Sequence, residues 1–350
     1  MISGYASLNG TKEYVTRFNQ FYRTTPMFYT SSIGLGTHLG DMNENDSALY
    51  CKGIEYGLRK GLNVIDTAIN YRGMKSERDV GYVLTSLIER KLIKREDVVV
   101  STKAGIIAGD IEANLVPIDY LQKVLIEGGI ITEADLSIVD HHRHVLAPAY
   151  YEFAIHKSKN HLNLETIDIY YVHNPEISMM TLGSEVFYSQ LETLFAFFET
   201  QVQMGHIKYY GLATWLGLLT NPNEHGYISL EKVVNIAKRL AGNSHHFRFI
   251  QFPLNRKINN GVRMKNQKVN HHWVTVVEAA EKLGLFSITS APFHLGKLID
   301  EGSSSQSMLL EVIQMKGILS TMVGMKRNEH IKENMETIRV FQNRINGKSL

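Results

Sequence analysis

Short apolar runs alternate with stretches of helical period along almost the whole chain. Eight runs predict strands: Ser31–Leu35, Asn63–Asp66, Val98–Lys103, Ile167–His173, Ile207–Ala213, Phe247–Phe252, Leu285–Thr289 and Leu319–Val323. Several are apolar on consecutive positions, as in Val98-Val99-Val100, which suits strands covered on both faces in a parallel sheet. Between them apolar residues recur at i, i+3, i+4 and i+7: Leu191, Leu194, Phe195, Phe198; Leu230, Val233, Val234, Ala237; Val276, Ala279, Ala280, Leu283. Each set lays one apolar stripe along a helix. The first helix is expected to start at Asp46 as N-cap and to stop near Gly61.

Strands that alternate with helices eight times predict an α/β fold, a (β/α)8 TIM barrel. A single domain over residues 1–350 is expected, with 1–30 as an N-terminal cap. The runner-up, an open doubly wound sheet, lacks a Gly-x-Gly-x-x-Gly at its first helix; Gly34-Leu35-Gly36-Thr37 is only a fragment of one. Two segments interrupt the rhythm. Residues 105–146 form a long insertion after the third strand, with helical pattern over Ile118–Leu125 and Glu133–Val139. Lys257–Val269, after the sixth strand, is polar and Asn-rich.

Composition narrows the function classes. The 37 Lys+Arg and 35 Asp+Glu nearly cancel and form no long run, so neither nucleic acid nor an anionic membrane is an expected partner. Cys51 is the only cysteine, which excludes an intramolecular disulfide and a thiolate metal cluster and suits a reducing compartment. It reads as a small core residue. No apolar run is long enough to span a bilayer, and Met1–Gly10 lacks a secretory pattern, so a cytoplasmic location is expected. His141-His142-Arg143-His144 has no set of partners for a metal, and no metal is expected. His245-His246 and His271-His272 read as capping or surface residues, and Met204 and Met308 as members of helix stripes.

In a parallel barrel, chemistry gathers where the strands end. The second strand ends in Asp66, with Tyr71 in the loop after it; the third ends in Lys103 and the fourth in His173. A tyrosine with an ordinary pKa near ~10 is a poor acid at neutral pH, and an adjacent ammonium lowers that value. Lys103 would supply the ammonium, Asp66 would keep it charged, and His173 would bind a carbonyl oxygen or join a proton relay. The set holds no nucleophile and no metal ligands, so it calls for a separate hydride source. A metal-dependent barrel hydrolase is disfavoured for the same reason.

Asn63-Val-Ile-Asp-Thr-Ala-Ile-Asn-Tyr71 with Ser76-Glu77 resembles the aldo-keto reductase signature. Ser101-Thr-Lys-Ala-Gly105 and Ile167-Asp-Ile-Tyr-Tyr-Val-His-Asn-Pro-Glu176 resemble that family's lysine and histidine strands. Gly205–Thr214 is similar to its fifth strand, and Gly324–Asn334 to its cofactor-phosphate segment. The resemblance implies an NAD(P)H-dependent oxidoreductase that interconverts a carbonyl (aldehyde, ketone, or sugar lactone or lactol) and an alcohol. Asp66, Tyr71, Lys103 and His173 would be catalytic, with Tyr71 as the acid. Asp66, Gly36, Thr37, Asn174, Thr214, Gln251, Ser290, Pro292, Phe293, Gly324, Met325, Lys326, Glu333 and Asn334 would line the cofactor. Tyr71, His173 and Trp215 would meet a small-molecule substrate. Adjacent Lys326 and Arg327 would suit a 2′-phosphate, which implies NADPH rather than NADH. Where the family often has Ser-Asn after the fifth strand, this chain has Ala213-Thr214; the usual aromatic after the seventh strand is replaced by Thr289-Ser290. Trp215 and Phe293 are candidate apolar walls and 105–146 a candidate lid. The insertion and His-Asn-Pro-Glu look closer to the sugar-dehydrogenase-like branch than to the steroid branch. A slow or inactive NADPH-binding regulatory subunit of the same fold is the alternative.

Overall fold

The computed structural model describes residues 1–302 and 304–347. Eight strands form one closed, all-parallel barrel: β1 Ile33–Gly36, β2 Val64–Asp66, β3 Val99–Ala104, β4 Ile167–His173, β5 Ile207–Ala213, β6 Phe247–Pro253, β7 Phe286–Ser290 and β8 Ile318–Gly324. They follow one another around the barrel in chain order, and β8 pairs with β1 to close it. A helix follows each: α1 Glu44–Arg59, α2 Lys75–Glu89, α3 Pro148–Leu162, α4 Glu176–Gln203, α5 Leu230–Ala241, α6 Val276–Lys282, α7 Ser305–Ile313 and α8 Asn328–Ile345. The closed barrel, not the open sheet, is therefore the fold.

Side chains on a strand point alternately to its two faces. Val64, Val99, Ile169, Tyr171, Phe249, Ile288 and Met322 form one apolar cluster, the barrel interior. Their neighbours Ile65, Val100, Tyr170, Val172 and Ile250 belong to a second, larger cluster under the helices. Burial on both faces is why the strands read as continuous apolar runs. The stripes on α4 and α5 are buried as their spacing demands, and so are Val276, Ala279 and Ala280 on α6.

The N-terminal segment forms a helix, Leu8–Val15, and an antiparallel hairpin, Tyr22–Thr24 with Tyr29–Ser31. Ala6 and Phe28 join the interior cluster, and Phe28 stacks on Phe249 with centroids 5.8 Å apart. Asp168, near the start of β4, accepts from the Ala6 and Val100 amides at 2.7 Å each and from Arg95 at 2.7 Å. The first segment of chain is thereby fastened over the lower end of the barrel.

Four local expectations are corrected. The N-cap of α1 is Asn43, whose side chain accepts from the Asp46 amide at 2.9 Å; Asp46 lies in the first turn. Glu133–Val139 is not helical. A 3₁₀ turn, Glu133–Asp135, leads into a hairpin of Leu136–Val139 with His142–Val145, turned at Asp140-His141, where Asp140 has φ 52°. His245 is neither cap nor surface: it is buried, and its neighbour His246 pairs with Glu199 at 2.7 Å. Met204 is exposed, just past the end of α4, whereas Met308 is buried. Cys51 is half-buried, and burial pushes its thiol up to about 11. No helix among the described residues is long and apolar enough to cross a membrane.

The insertion carries core of its own. Ile107, Ala108, Tyr120, Leu121, Leu125, Ile131, Val145 and Leu146 are buried in the outer cluster. Asp110 binds Arg78 of α2 at 2.9 Å and Lys157 of α3 at 3.3 Å. This segment is built into the wall of the molecule.

Candidate active site

Alternation also sets which side chains meet at the upper end. Asp66 lies two residues beyond inward Val64, and Lys103 four beyond Val99. His173 lies two beyond Tyr171, Gln251 two beyond Phe249, and Ser290 two beyond Ile288. All five share the parity of the barrel interior.

Lys103 is fully buried. Its Nζ donates to Asp66 Oδ2 at 2.6 Å, to the Thr67 carbonyl at 2.8 Å and to Tyr71 Oη at 3.3 Å. Three acceptors use all three ammonium hydrogens. Asp66 Oδ1 accepts from Ser101 Oγ at 2.7 Å and from Gln251 Nε2 at 3.0 Å. The Tyr71 ring, partly exposed, meets the buried His173 ring edge-on with centroids 5.6 Å apart. The four residues expected to act together are therefore adjacent.

Burial opposes the charge on Lys103, but Asp66 and Tyr71 outweigh it and hold the ammonium above its ordinary pKa. Burial also raises the Tyr71 phenol; Lys103 pulls it down and Asp66 pushes it up, and the net direction is upward. The expectation that the lysine brings the phenol below its ordinary value is corrected here, because desolvation exceeds the lysine's effect. His173 lies well below its usual value, chiefly through burial and then through Lys103, so its imidazole is neutral; its Nδ1 has no partner.

The residues expected to line a cofactor fall into two groups. Around the mouth, Thr37 donates through its amide and its hydroxyl to the Asp66 carbonyl at 3.2 Å each. Asn174, with φ 51°, donates its amide to Ala213 at 2.7 Å, and Thr214 donates its amide to Gln251 at 2.9 Å. Thr214 Oγ1 is buried without a partner, as a hydroxyl meant for an incoming polar group would be. Ser290 is partly exposed; Pro292 is buried, and Phe293 packs against the outer core.

The second group follows β8. Gly324 is exposed and lies in register with Gly36, which pairs in turn with Asp66. Met325 is buried, Glu333 exposed and Asn334 buried. Lys326 is not a free cation: its Nζ binds Asp46 Oδ2 at 2.6 Å, which holds the Asp46 carboxyl below its ordinary value.

Several residues of the site escaped the reading of the sequence. Ser101 shares the parity of Lys103 and was findable from it. His38 lies just beyond β1; the residue is exposed overall, but its ring is packed 4.7 Å from that of Tyr71. Lost hydration and the charge of Lys103 lower its pKa. Inspecting the end of every strand for an ionisable group would have exposed it. Glu176 is buried at the start of α4, and one carboxylate oxygen accepts the amides of Trp215 at 2.6 Å and Leu216 at 2.9 Å. Among the described residues, no group of three or more His, Cys, Asp or Glu side chains is arranged to hold a metal ion.

Residues 32–237 match the family model of the Aldo/keto reductase family. An aldo/keto reductase from Klebsiella pneumoniae in complex with NADP and acetate is similar in fold, with a TM-score of 0.56 and 16% identity over 91% of this chain and 92% of that one. The holo form of an aldo-keto reductase from Bacillus halodurans aligns with a TM-score of 0.58 and 17% identity over 91% of each chain. A Klebsiella pneumoniae aldo-keto reductase in complex with NADPH aligns with a TM-score of 0.54 and 16% identity, covering 98% of this chain and 95% of that one. No curated protein matches the sequence.

Proposed function

The chain belongs to the Aldo/keto reductase family, and from that premise we propose that it is an NADPH-dependent oxidoreductase that interconverts a small-molecule carbonyl and its alcohol, with Tyr71 as the general acid and base. The observation that carries this reading is the fully buried Lys103, which links Asp66 at 2.6 Å to the Tyr71 hydroxyl at 3.3 Å. A buried ammonium is costly unless paired, and here it is spent on a phenol at the mouth of the barrel.

The residues present fit NADPH. The orphaned Thr214 hydroxyl and Gln251, which rests on Asp66, would hold the nicotinamide end together with Asn174. Gly36, Thr37, Ser290, Pro292 and Phe293 would border the middle. Exposed Gly324, then Met325, Lys326, Glu333 and Asn334, would hold the adenosine end. When bound, NADPH supplies the hydride. The protein's task is the proton. Tyr71 keeps its proton at neutral pH, because its pKa lies above the ordinary value. It delivers that proton to the substrate oxygen, and Lys103 stabilises the phenolate as the charge forms. His173, neutral and beside the Tyr71 ring, donates a hydrogen bond that places the oxygen. Asp66 keeps Lys103 charged throughout.

The substrate walls are Trp215 and the insertion at 105–146. Met42 and Ile111 both lie beside Gly73, two residues after Tyr71, and extend an apolar rim. A hydroxylated substrate such as a sugar, taken as its lactol and oxidised to the lactone or as its open-chain carbonyl and reduced, suits a mouth that pairs this rim with His38 and His173. The test is a panel of aldehydes, ketones and quinones with NADPH, followed by its loss of absorbance, and of sugar lactols with NADP+, followed by the gain. Turnover of one class is expected. Binding of NADPH with no turnover across the panel would overturn the reading in favour of a regulatory subunit.

A further inference from the structure

We infer that the first turn of α4 is a positioning hub, in which Glu176 and Ser178 clamp the two loops flanking the mouth to the backbone that carries His173. The inference rests on the reductase reading only for its kinetic consequence. Its geometry is independent.

His173 ends β4, and α4 starts three residues later at Glu176. The loop after β5 is fastened to Glu176: the Trp215 and Leu216 amides converge on Oε1. This is a nest of backbone donors filled from inside the protein by a carboxylate. The other oxygen, Oε2, is buried with no partner among the described residues, and burial holds the carboxyl above its ordinary pKa, so the side chain is fixed by these amides. The insertion is fastened to Ser178, whose hydroxyl lies 2.7 Å from Nδ1 of buried His144. His144 sits on the inner strand of the insertion hairpin and pairs with Ile106. Gly105, at φ +134°, lets these groups meet: a Cβ there would lie 2.5 Å from His144 Nε2 and 3.0 Å from the His173 carbonyl. The hairpin, the exit of β3 and the last residue of β4 therefore share one small volume. Two loops that the sequence treats as unrelated end on side chains two residues apart.

Trp215 gives a readout that needs no catalysis. The chain has two tryptophans, and Trp273 lies exposed on the hairpin Gln267–Val269 with His272–Val274. In a Trp273→Phe background the emission belongs to Trp215. Glu176→Ala leaves two amides without an acceptor, so Trp215 emission shifts to the red and acrylamide quenches it more strongly. Glu176→Gln keeps an oxygen acceptor and restores the wild-type signal. In the active enzyme, Glu176→Ala raises KM for the carbonyl about tenfold, the size of a lost buried hydrogen bond, with KM for NADPH unchanged. Ser178→Ala raises it less, and the double variant departs from the product of the two single effects because both act through one turn.

Circular dichroism and urea midpoints establish that each variant is folded; if Glu176→Ala fails to fold, Ser178→Ala and His144→Gln carry the same comparison through hydrogen exchange of the His173–Ser178 amides. Wild-type emission and quenching in folded Glu176→Ala, or wild-type exchange in folded Ser178→Ala, would overturn the hub. A wild type that turns over no carbonyl would instead overturn the reductase reading, and the fluorescence and exchange results would still decide the hub.

Discussion

Burial disfavours the charge on Lys103; Asp66, at 2.6 Å, outweighs it and keeps the proton in place. Asp66→Asn removes that support, so the lysine pKa falls and the phenolate loses its counter-charge. We expect kcat for reduction to drop about a hundredfold, read from single-turnover traces at saturating NADPH. The same directions fix the pH profile. His173 and His38 both lie below the ordinary histidine value, and Tyr71 lies above the ordinary tyrosine value. The rate of reduction should therefore show no inflection near ~6.5 and should fall only on the alkaline side, above ~10. An inflection near the ordinary histidine value in kcat/KM would contradict this assignment. Stability follows the same sign: the raised lysine pKa contributes stability below its unfolded value, and this is lost as pH rises through the folded one. Further out, Lys326 already neutralises Asp46. Lys326→Ala is expected to weaken NADPH binding only about three- to tenfold, less than an unpaired cation would, with NADH binding unchanged by fluorescence titration. Asp66, Lys103 and His173 were legible because each closes a strand on the inward parity. The Lys326–Asp46 pair was not, since 280 residues separate its members.

At the scale of elements, the helical stripes and the strand order follow from periodicity, and they appear where the spacing puts them. The insertion did not yield in the same way. Glu133–Val139 carries apolar residues that suit either a helix or a strand. The two-residue turn at Asp140-His141 decides in favour of a hairpin, because its backbone hydrogen bonds are then met by His142–Val145. Deleting the whole insertion would remove buried core as well as the candidate lid, so point substitutions are the cleaner probe. Asp110 is the best placed. Arg78 and Lys157 outweigh its burial and hold its carboxyl below the ordinary value. Asp110→Ala should cost about 1–3 kcal/mol in urea unfolding, and limited proteolysis should cut first within 105–146.

The whole molecule separates the end that carries the candidate site from a structural one. Its lower end is closed by the first 30 residues, whose short helix and hairpin have too little periodicity to be read from sequence and owe their place to Ala6 and Phe28 inside the barrel. Arg95 and Asp168 lock this closure. Arg95→Ala would leave a buried carboxylate with two amides and no cation, at a cost of about 3–5 kcal/mol, while kcat of the folded fraction stays at the wild-type value. The upper end joins the elements into one device: β2, β3, β4 and β6 bring Asp66, Lys103, His173 and Gln251 to one point, and the loop after β2 sets Tyr71 over it. The measurement that tests this most directly compares Tyr71→Phe with wild type on the best carbonyl of the panel, with NADPH binding followed in parallel. Loss of at least a hundredfold in kcat, about what a positioned general acid contributes, with NADPH affinity retained, is the predicted result. Turnover that survives in Tyr71→Phe would contradict the assignment of the acid, and with it the role given to Lys103 and Asp66.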